Sequence, residues 1–212
     1  MKLYFDCTSG ISSDMILNAL IEMGGDAVWM KQLELPEEEG HHFHRSHREV
    51  KEILQENHLP EPVREKALAI YQVIAEAEAK VHESDVENVH FHEVGSNRAV
   101  KNIVGIASAL SSLSVKAIYC SEIHDGKGTV ECSHGTIPVP VPAVQAMMES
   151  CDYKFVTENI DMEMVTPSGL GVLLGIGAQY VPEMPEGVLL MQVVSKGTRD
   201  TGKEGMKVSL IA

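Results

Sequence analysis

Short extended-looking apolar runs alternate along this chain with longer stretches whose apolar residues recur at helical spacing, and this alternation limits the folds open to it. Leu3 to Asp6 reads as a first strand. Cys7 to Ile11 then turns at Gly10, and Ser12 stands as an N-cap with Ile11 and Ile16 at hydrophobic-staple positions. Met15, Ile16, Ala19, Leu20 and Met23 make one helical face, which Gly24-Gly25 ends. A strand followed at once by an amphipathic helix, repeated down the chain, is the pattern of an α/β protein. The expectation is strands alternating with helices around a mainly parallel or mixed sheet.

The later segments keep the pattern. Leu33-Glu34-Leu35 reads as a short strand and Glu37 to Gly40 as a polar connector. Ser46-x-x-Glu49 matches a capping box ahead of Val50, Ile53 and Leu54, which puts His47 in the first turn of a helix. Pro62 opens a long amphipathic helix through Val81, Val89 to Phe91 is extended, and Val100 to Leu110 is helical. Val115 to Cys120 reads as a strand and Gly126 to Gly135 as a hairpin or loop. Pro138, Pro140 and Pro142 alternate in a segment that cannot be a central strand, and Pro142 starts a helix through Met148. Tyr153 to Val156 reads as a strand, and Thr166-Pro167 opens a Gly-rich helix to about Ala178. Val188 to Val194 is nearly all apolar, as in a strand buried on both faces, and Lys207 to Ile211 closes the chain as a short strand. No repeat or low-complexity segment interrupts this order. Residues 1–150 are expected to form an α/β metal-handling region with a His-rich segment at 41–47, and 151–212 a smaller α/β continuation of the same unit.

Composition narrows the partners. The 212 residues carry 31 Asp and Glu against 17 Lys and Arg, a formal net charge of -14. Such a surface repels phosphate backbones and anionic lipids, so neither nucleic acid nor a membrane is the expected partner, although a local basic patch can still hold a small anion. No apolar run approaches the roughly 20 residues of a membrane span. The beginning, Met1 to Asp6, turns polar too soon for a signal peptide. The four cysteines form no Cys-x-x-Cys pair and are expected to be reduced thiols in the cytoplasm. A homo-oligomer is compatible with the sequence.

The histidines carry the clearest chemistry. His41, His42, His44 and His47 fall together, and His90 and His92 recur in His90-Phe91-His92-Glu93, so six of ten histidines lie in two clusters. Imidazole, with an ordinary pKa of about 6.5, is the commonest protein metal ligand. Two imidazoles and a carboxylate suit Zn, Ni, Co or Fe. In an extended segment His90 and His92 share a side with Glu93 opposite, and a turn at the strand end can bring Glu93 round. The plainer alternative is a hydrogen-bonded pair at a strand edge, and for residues 41–47 a His-rich loop or a surface helix end. A helix N-terminus disfavours a cationic imidazole, which keeps His47 in the neutral form that binds metal.

Anion binding has its own candidates. Asp6 ends the first strand and Asp14 starts the following helix, in the place where open α/β sheets put their sites. The turn with Ser9, Gly10 and Ser12 offers a helix N-terminus to an anion, and Thr166-Pro167-Ser168-Gly169 offers another. Lys196-Gly197-Thr198-Arg199-Asp200 is a compact basic spot on an acidic chain, able to hold a phosphate or carboxylate or to be an ordinary surface turn. No Cys-His or Ser-His-Asp arrangement has local spacing that argues for a nucleophile.

Taken in order, these segments resemble one family. Asp6-x-x-Ser9-Gly10-Ile11-Ser12-x-Asp14-Met15, His41-His42-Phe43-His44-Arg45, Val89 to Gly95, His134-Gly135 with Pro138-Val139-Pro140, Val165-Thr166-Pro167 and Gly197 to Asp200 are similar to the LarC-like nickel-insertion proteins. The resemblance covers essentially the whole chain, and its most specific piece is the His-Phe-His-Glu-Val-Gly run. Ser13 stands where the family pattern has Gly, and Arg98 and Asn102 stand where it carries two aspartates. The resemblance implies insertion of Ni(II) into pyridinium-3,5-bisthiocarboxylic acid mononucleotide, a lyase-class chelation that in full-length members depends on CTP with a divalent metal. It implies a small anionic nucleotide-like precursor as partner, and it leaves open whether this chain works with a separate C-terminal partner chain or is a diverged paralogue.

The expected metal residues are His41, His42, His44, His90, His92 and Glu93. The expected precursor-binding residues are Asp6, Ser9, Gly10, Ser12, Asp14, Thr166 and Arg199. The alternatives carried forward are a non-catalytic metal carrier or partner subunit, a metal-dependent hydrolase on the same scaffold, and a structural protein whose histidines are incidental.

Overall fold

The computed structural model describes residues 1–37, 45–132 and 135–212. Strand β1 (Lys2–Asp6) leads through the Gly10 turn to α1 (Ser13–Glu22), where the Ser12 hydroxyl accepts from the Met15 N–H at 3.3 Å. A short α2 (Val28–Gln32) follows, then β2 (Arg45–Ser46) and α3 (His47–Glu56). The capping box forms in full: Glu49 Oε2 accepts from the Ser46 N–H at 2.6 Å, and Ser46 Oγ accepts from the Glu49 N–H at 3.2 Å. The long α4 (Glu61–Val81) carries Pro62 in its first turn. Next come β3 (His90–Phe91), α5 (Asn97–Ser112), β4 (Ala117–Cys120) and β5 (Ile123–Asp125). The hairpin of β6 (Thr129–Cys132) and β7 (Gly135–Pro138) precedes α6 (Pro142–Met148) and β8 (Phe155–Thr157). The chain continues through α7 (Pro167–Gly175), β9 (Gln179–Tyr180), β10 (Leu189–Ser195) and β11 (Met206–Ile211).

The fold is a mixed α/β arrangement. Five strands line up as β10-β11-β1-β4-β9, antiparallel between β10, β11 and β1 and parallel between β1, β4 and β9. Leu3, Tyr4 and Phe5 of β1 are all buried, so the central strand is covered on both faces. Helix α4 runs through the core against α5, α6 and α7, burying Ile70, Tyr71 and Ile74 completely. Each such side chain removed from water contributes about 1.5–3 kcal/mol. Glycine permits the closest of these approaches: a Cβ at Gly175 would stand 2.5 Å from the Ile70 Cα. Residues 1–150 supply β1 and β4 to the central sheet and the remainder supplies β9, β10 and β11, so both stretches share it.

Three expectations are corrected. Leu33-Glu34-Leu35 forms no strand. Its backbone is satisfied by a side chain instead, with Asn57 Oδ1 accepting from the Glu34 N–H at 2.6 Å and Asn57 Nδ2 donating to the Glu34 carbonyl at 2.9 Å. Helix α7 stops at Gly175 rather than near Ala178. The apolar run from Val188 is not buried on both faces: β10 is an edge strand, and Val188, Leu189, Leu190, Met191 and Val194 are exposed. All four cysteines are free thiols, with Cys7 and Cys120 buried. Among the described residues no helix is long and apolar enough to cross a membrane.

Candidate functional site

A cleft of about 820 Å³ opens where the first residues of α1 and α7 come together. The juxtaposition is built by backbone: the Ile11 N–H donates to the Met164 carbonyl at 2.9 Å, and the Thr166 N–H to the Ile11 carbonyl at 3.0 Å. Asp125 holds this crossing from beneath. It is buried, and its Oδ1 accepts from the N–H groups of Gly126, Met164 and Val165 at 2.8, 2.9 and 3.0 Å. The Ser168 hydroxyl donates to Ser13 Oγ at 3.2 Å, tying the two helix starts side by side. Helix N-termini present unpaired N–H groups and a positive dipole end, the local chemistry that suits an anion.

The connection from β10 to β11 adds cations. Lys196, Arg199 and Lys203 all line the cleft. Arg199 pairs with Glu163, a carboxylate only 7% exposed, and Lys203 Nζ lies 2.6 Å from Glu158 Oε1. Burial raises the Glu163 pKa, and the Arg199 guanidinium opposes that shift.

A second part of the lining carries imidazole and carboxylate. Strands β2 and β3 pair Ser46 with His90, which leaves His90 exposed and outside the cleft. At His92 the backbone, with φ -84 and ψ -89, leaves the strand for a single 3-10 turn over Glu93–Gly95. That turn brings both His92 and Glu93 to the cleft and separates His92 from His90. It is pinned by Arg45, whose Nη1 donates to the Gly95 carbonyl at 2.8 Å, and by the Tyr71 hydroxyl, donating to the Val94 carbonyl at 3.0 Å. The last turn of α4 contributes Glu78 and His82. The His82 and His92 ring centroids are 6.0 Å apart, and His82 Nε2 lies 3.6 Å from Glu78 Oε2. Burial, with Glu93 nearby, pushes the Glu78 pKa up to about 7. Among the described residues no three His, Cys, Asp or Glu side chains already converge at metal-holding geometry.

The other expected residues fall as follows. His41, His42, His44 and His134 lie outside the described residues. Ser9, Ser12, Asp14 and Thr166 line the cleft; Asp6 and Gly10 do not. The Thr166 hydroxyl caps α7, accepting from the Gly169 N–H at 3.0 Å. Asp6 Oδ1 is engaged by Thr8, through its N–H at 3.1 Å and its hydroxyl at 2.6 Å. Gly10 serves the turn, with φ +84 and the Met164 carbonyl oxygen 2.3 Å from where a Cβ would sit. Asp14 is held by two α5 side chains: its Oδ1 accepts from Arg98 Nη2 at 2.9 Å and from Asn102 Nδ2 at 3.0 Å. His47 lies buried in the core rather than in the cleft. Its Nδ1 donates to the Val86 carbonyl at 3.1 Å, because a carbonyl can only accept, and burial lowers its pKa, disfavouring the charged ring.

Glu78, His82 and Glu163 were not among the candidates read from the sequence. Glu78 and His82 are spaced i, i+4, which puts both on one helix face, but a long amphipathic pattern absorbs such a pair. Only the encounter with His92 gives it meaning.

The family model described as nickel insertion protein matches residues 28–210. The chain belongs to the nickel insertion protein family. Among its relatives, the pyridinium-3,5-bisthiocarboxylic acid mononucleotide nickel insertion protein of Acetivibrio thermocellus is 36% identical, over 95% of this chain and 58% of its own length. A putative nickel insertion protein of Dictyoglomus thermophilum is 37% identical over 86% of this chain and 53% of its own. The pyridinium-3,5-bisthiocarboxylic acid mononucleotide nickel insertion protein of Staphylococcus saprophyticus is 32% identical over 85% of this chain and 52% of its own. This family member thus spans just over half the length of the curated relatives it matches. No solved structure matches the chain.

Proposed function

We propose that this chain handles nickel for insertion into pyridinium-3,5-bisthiocarboxylic acid mononucleotide, the substrate named for its relatives. The observation that carries the reading is one cleft lined by two chemically distinct sets. Helix N-termini with Lys196, Arg199 and Lys203 suit the anionic precursor; Glu78, His82, His92 and Glu93 suit a borderline divalent cation. Nickel is the cargo here. Imidazole and carboxylate hold it loosely enough for the softer thiocarboxylates of the precursor to draw it away. The reading carries with it a lyase-class reaction in the cytoplasm. CTP use enters it only as a property of full-length family members. Asp14 is assigned to orienting the start of α1 rather than to nickel, since Arg98 already supplies its cation. A carrier without turnover is the second reading, favoured by Arg98 and Asn102, which stand where the family pattern has two aspartates and are both engaged with Asp14.

Equilibrium dialysis against nickel tests the assignment. A His82→Ala/His92→Ala double variant is expected to lose at least about tenfold in affinity, the loss that follows from removing even outer partners of a metal site. His90→Ala, outside the cleft, is expected to bind as wild type does. Equal binding by wild type and the double variant would remove these histidines from the site.

A further inference from the structure

We propose that Glu163 couples the two parts of the cleft: a precursor anion that engages Arg199 draws its charge away from Glu163 and thereby raises the affinity for nickel. The proposal rests on the reading of the cleft given above. Glu163 belongs to neither set in that reading, yet it lines the same cavity. Its side chain is 7% exposed and pairs with Arg199, whose side chain is 43% exposed. Among the described residues both hydrogen bonds of Arg199 leave from Nη1, one to the Glu163 carboxylate and one to its carbonyl at 3.5 Å. An arginine has five N–H donors in a planar fork, so a guanidinium that spends one nitrogen on a carboxylate can present the rest to a second anion. The carboxylate itself is anchored by backbone. The next residue, Met164, donates its N–H to buried Asp125 at 2.9 Å and accepts from the Ile11 N–H at 2.9 Å. Arg199 instead belongs to the connection between β10 and β11.

Glu163 also faces the carboxylates of the nickel set. Burial raises its pKa, Arg199 opposes that shift, and Asp125 and Glu93 add to it, so these groups lie within electrostatic reach of one another. Glu93 acts in the same way on Glu78. Paired with Arg199, the Glu163 carboxylate is neutralised and offers little to a cation. An anion on Arg199 turns that neutral pair into a net negative cluster near Glu93, where a divalent cation restores the balance. Charges in a part-buried cleft act on one another more strongly than in bulk water. Linkage then requires the reverse effect, with bound nickel tightening the anion by the same factor.

Equilibrium dialysis of the full chain tests the proposal, with nicotinate mononucleotide as the anion. This probe has a pyridinium ring, a phosphate and a carboxylate, but no thiocarboxylate to strip nickel from the protein. Nickel affinity is measured at matched free nickel with and without saturating mononucleotide, and circular dichroism confirms that each variant is folded. Wild type is expected to bind nickel about tenfold tighter with the mononucleotide present, within the usual range of coupling between sites. Glu163→Gln keeps the size of the side chain and removes its charge. It is expected to bind the mononucleotide alone about threefold tighter or more, because the competing carboxylate is gone, and to show less than about threefold coupling. Arg199→Gln gives the same test from the other partner: with the mononucleotide raised to saturation, its coupling is also expected to fall below about threefold. A Glu163 that only holds Arg199 in place predicts the opposite sign, weaker mononucleotide binding by Glu163→Gln, and that result overturns the proposal. Tenfold coupling that survives in either variant overturns it too. Wild type that binds both ligands independently overturns the coupling and leaves the reading of the cleft intact. Wild type that fails to bind nickel, or the mononucleotide, overturns that reading and the coupling with it.

Discussion

Glu78 shows how placement alone changes what a side chain can do. On an exposed helix face it would be an ordinary carboxylate, but burial beside Glu93 raises its pKa to about 7. The folded chain therefore holds a proton that the unfolded chain releases between the ordinary value of 4.5 and about 7. Stability falls as pH rises through that window, because the native state is the one binding more protons. Glu78→Gln stays neutral throughout. It is expected to gain up to about 3 kcal/mol over wild type at pH 8 and little at pH 5, read by urea denaturation at both values. An equal difference at both would mean that Glu78 is not held protonated. At this scale the sequence displays residue types but not their neighbours. The histidines stand out by clustering, yet His47 proves to be a core residue, His90 faces solvent, and His92 acquires its partners from a helix ten residues upstream. The positions of Arg98 and Asn102 are visible in the chain, but that they grip Asp14 follows only from the packing of α1 on α5.

Helix boundaries are the most legible elements, because their signals are local. Ser12, Ser46 and Thr166 each accept a backbone N–H at the helix start. Pro142 and Pro167 sit in first turns as well, where a missing N–H costs nothing. Strands are less legible, because an apolar run has the same spelling at the centre of a sheet and at its edge. Position is decided by pairing across long sequence separations, as when Lys2 of β1 meets Ile211 of β11. The contrast between local and long-range determinants can be measured. Ser46→Ala removes one cap and is expected to cost about 1 kcal/mol. Gly175→Ala forces a methyl group against the backbone of α4 and is expected to cost about 1–3 kcal/mol, with a matching drop in Tm. Thermal unfolding that ranks the cap above the glycine would contradict the packing of α7 on α4.

For the molecule as a whole, function depends on convergence. The cleft draws on the starts of α1 and α7, the end of α4, the turn after β3 and the β10–β11 connection, segments spread from Ser9 to Gly205. Single motifs in the chain suggest metal and anion binding separately, and the proposed function rests on both sets of side chains lining one cleft. The measurement that tests this most directly is calorimetric titration of nickel and of the mononucleotide precursor into wild type, Arg199→Ala and His92→Ala. The account predicts that Arg199→Ala weakens precursor binding and leaves nickel binding in place, while His92→Ala does the reverse. If neither variant changes either affinity, or if each variant loses both ligands alike, the division of the cleft into an anion-binding and a nickel-binding part is contradicted.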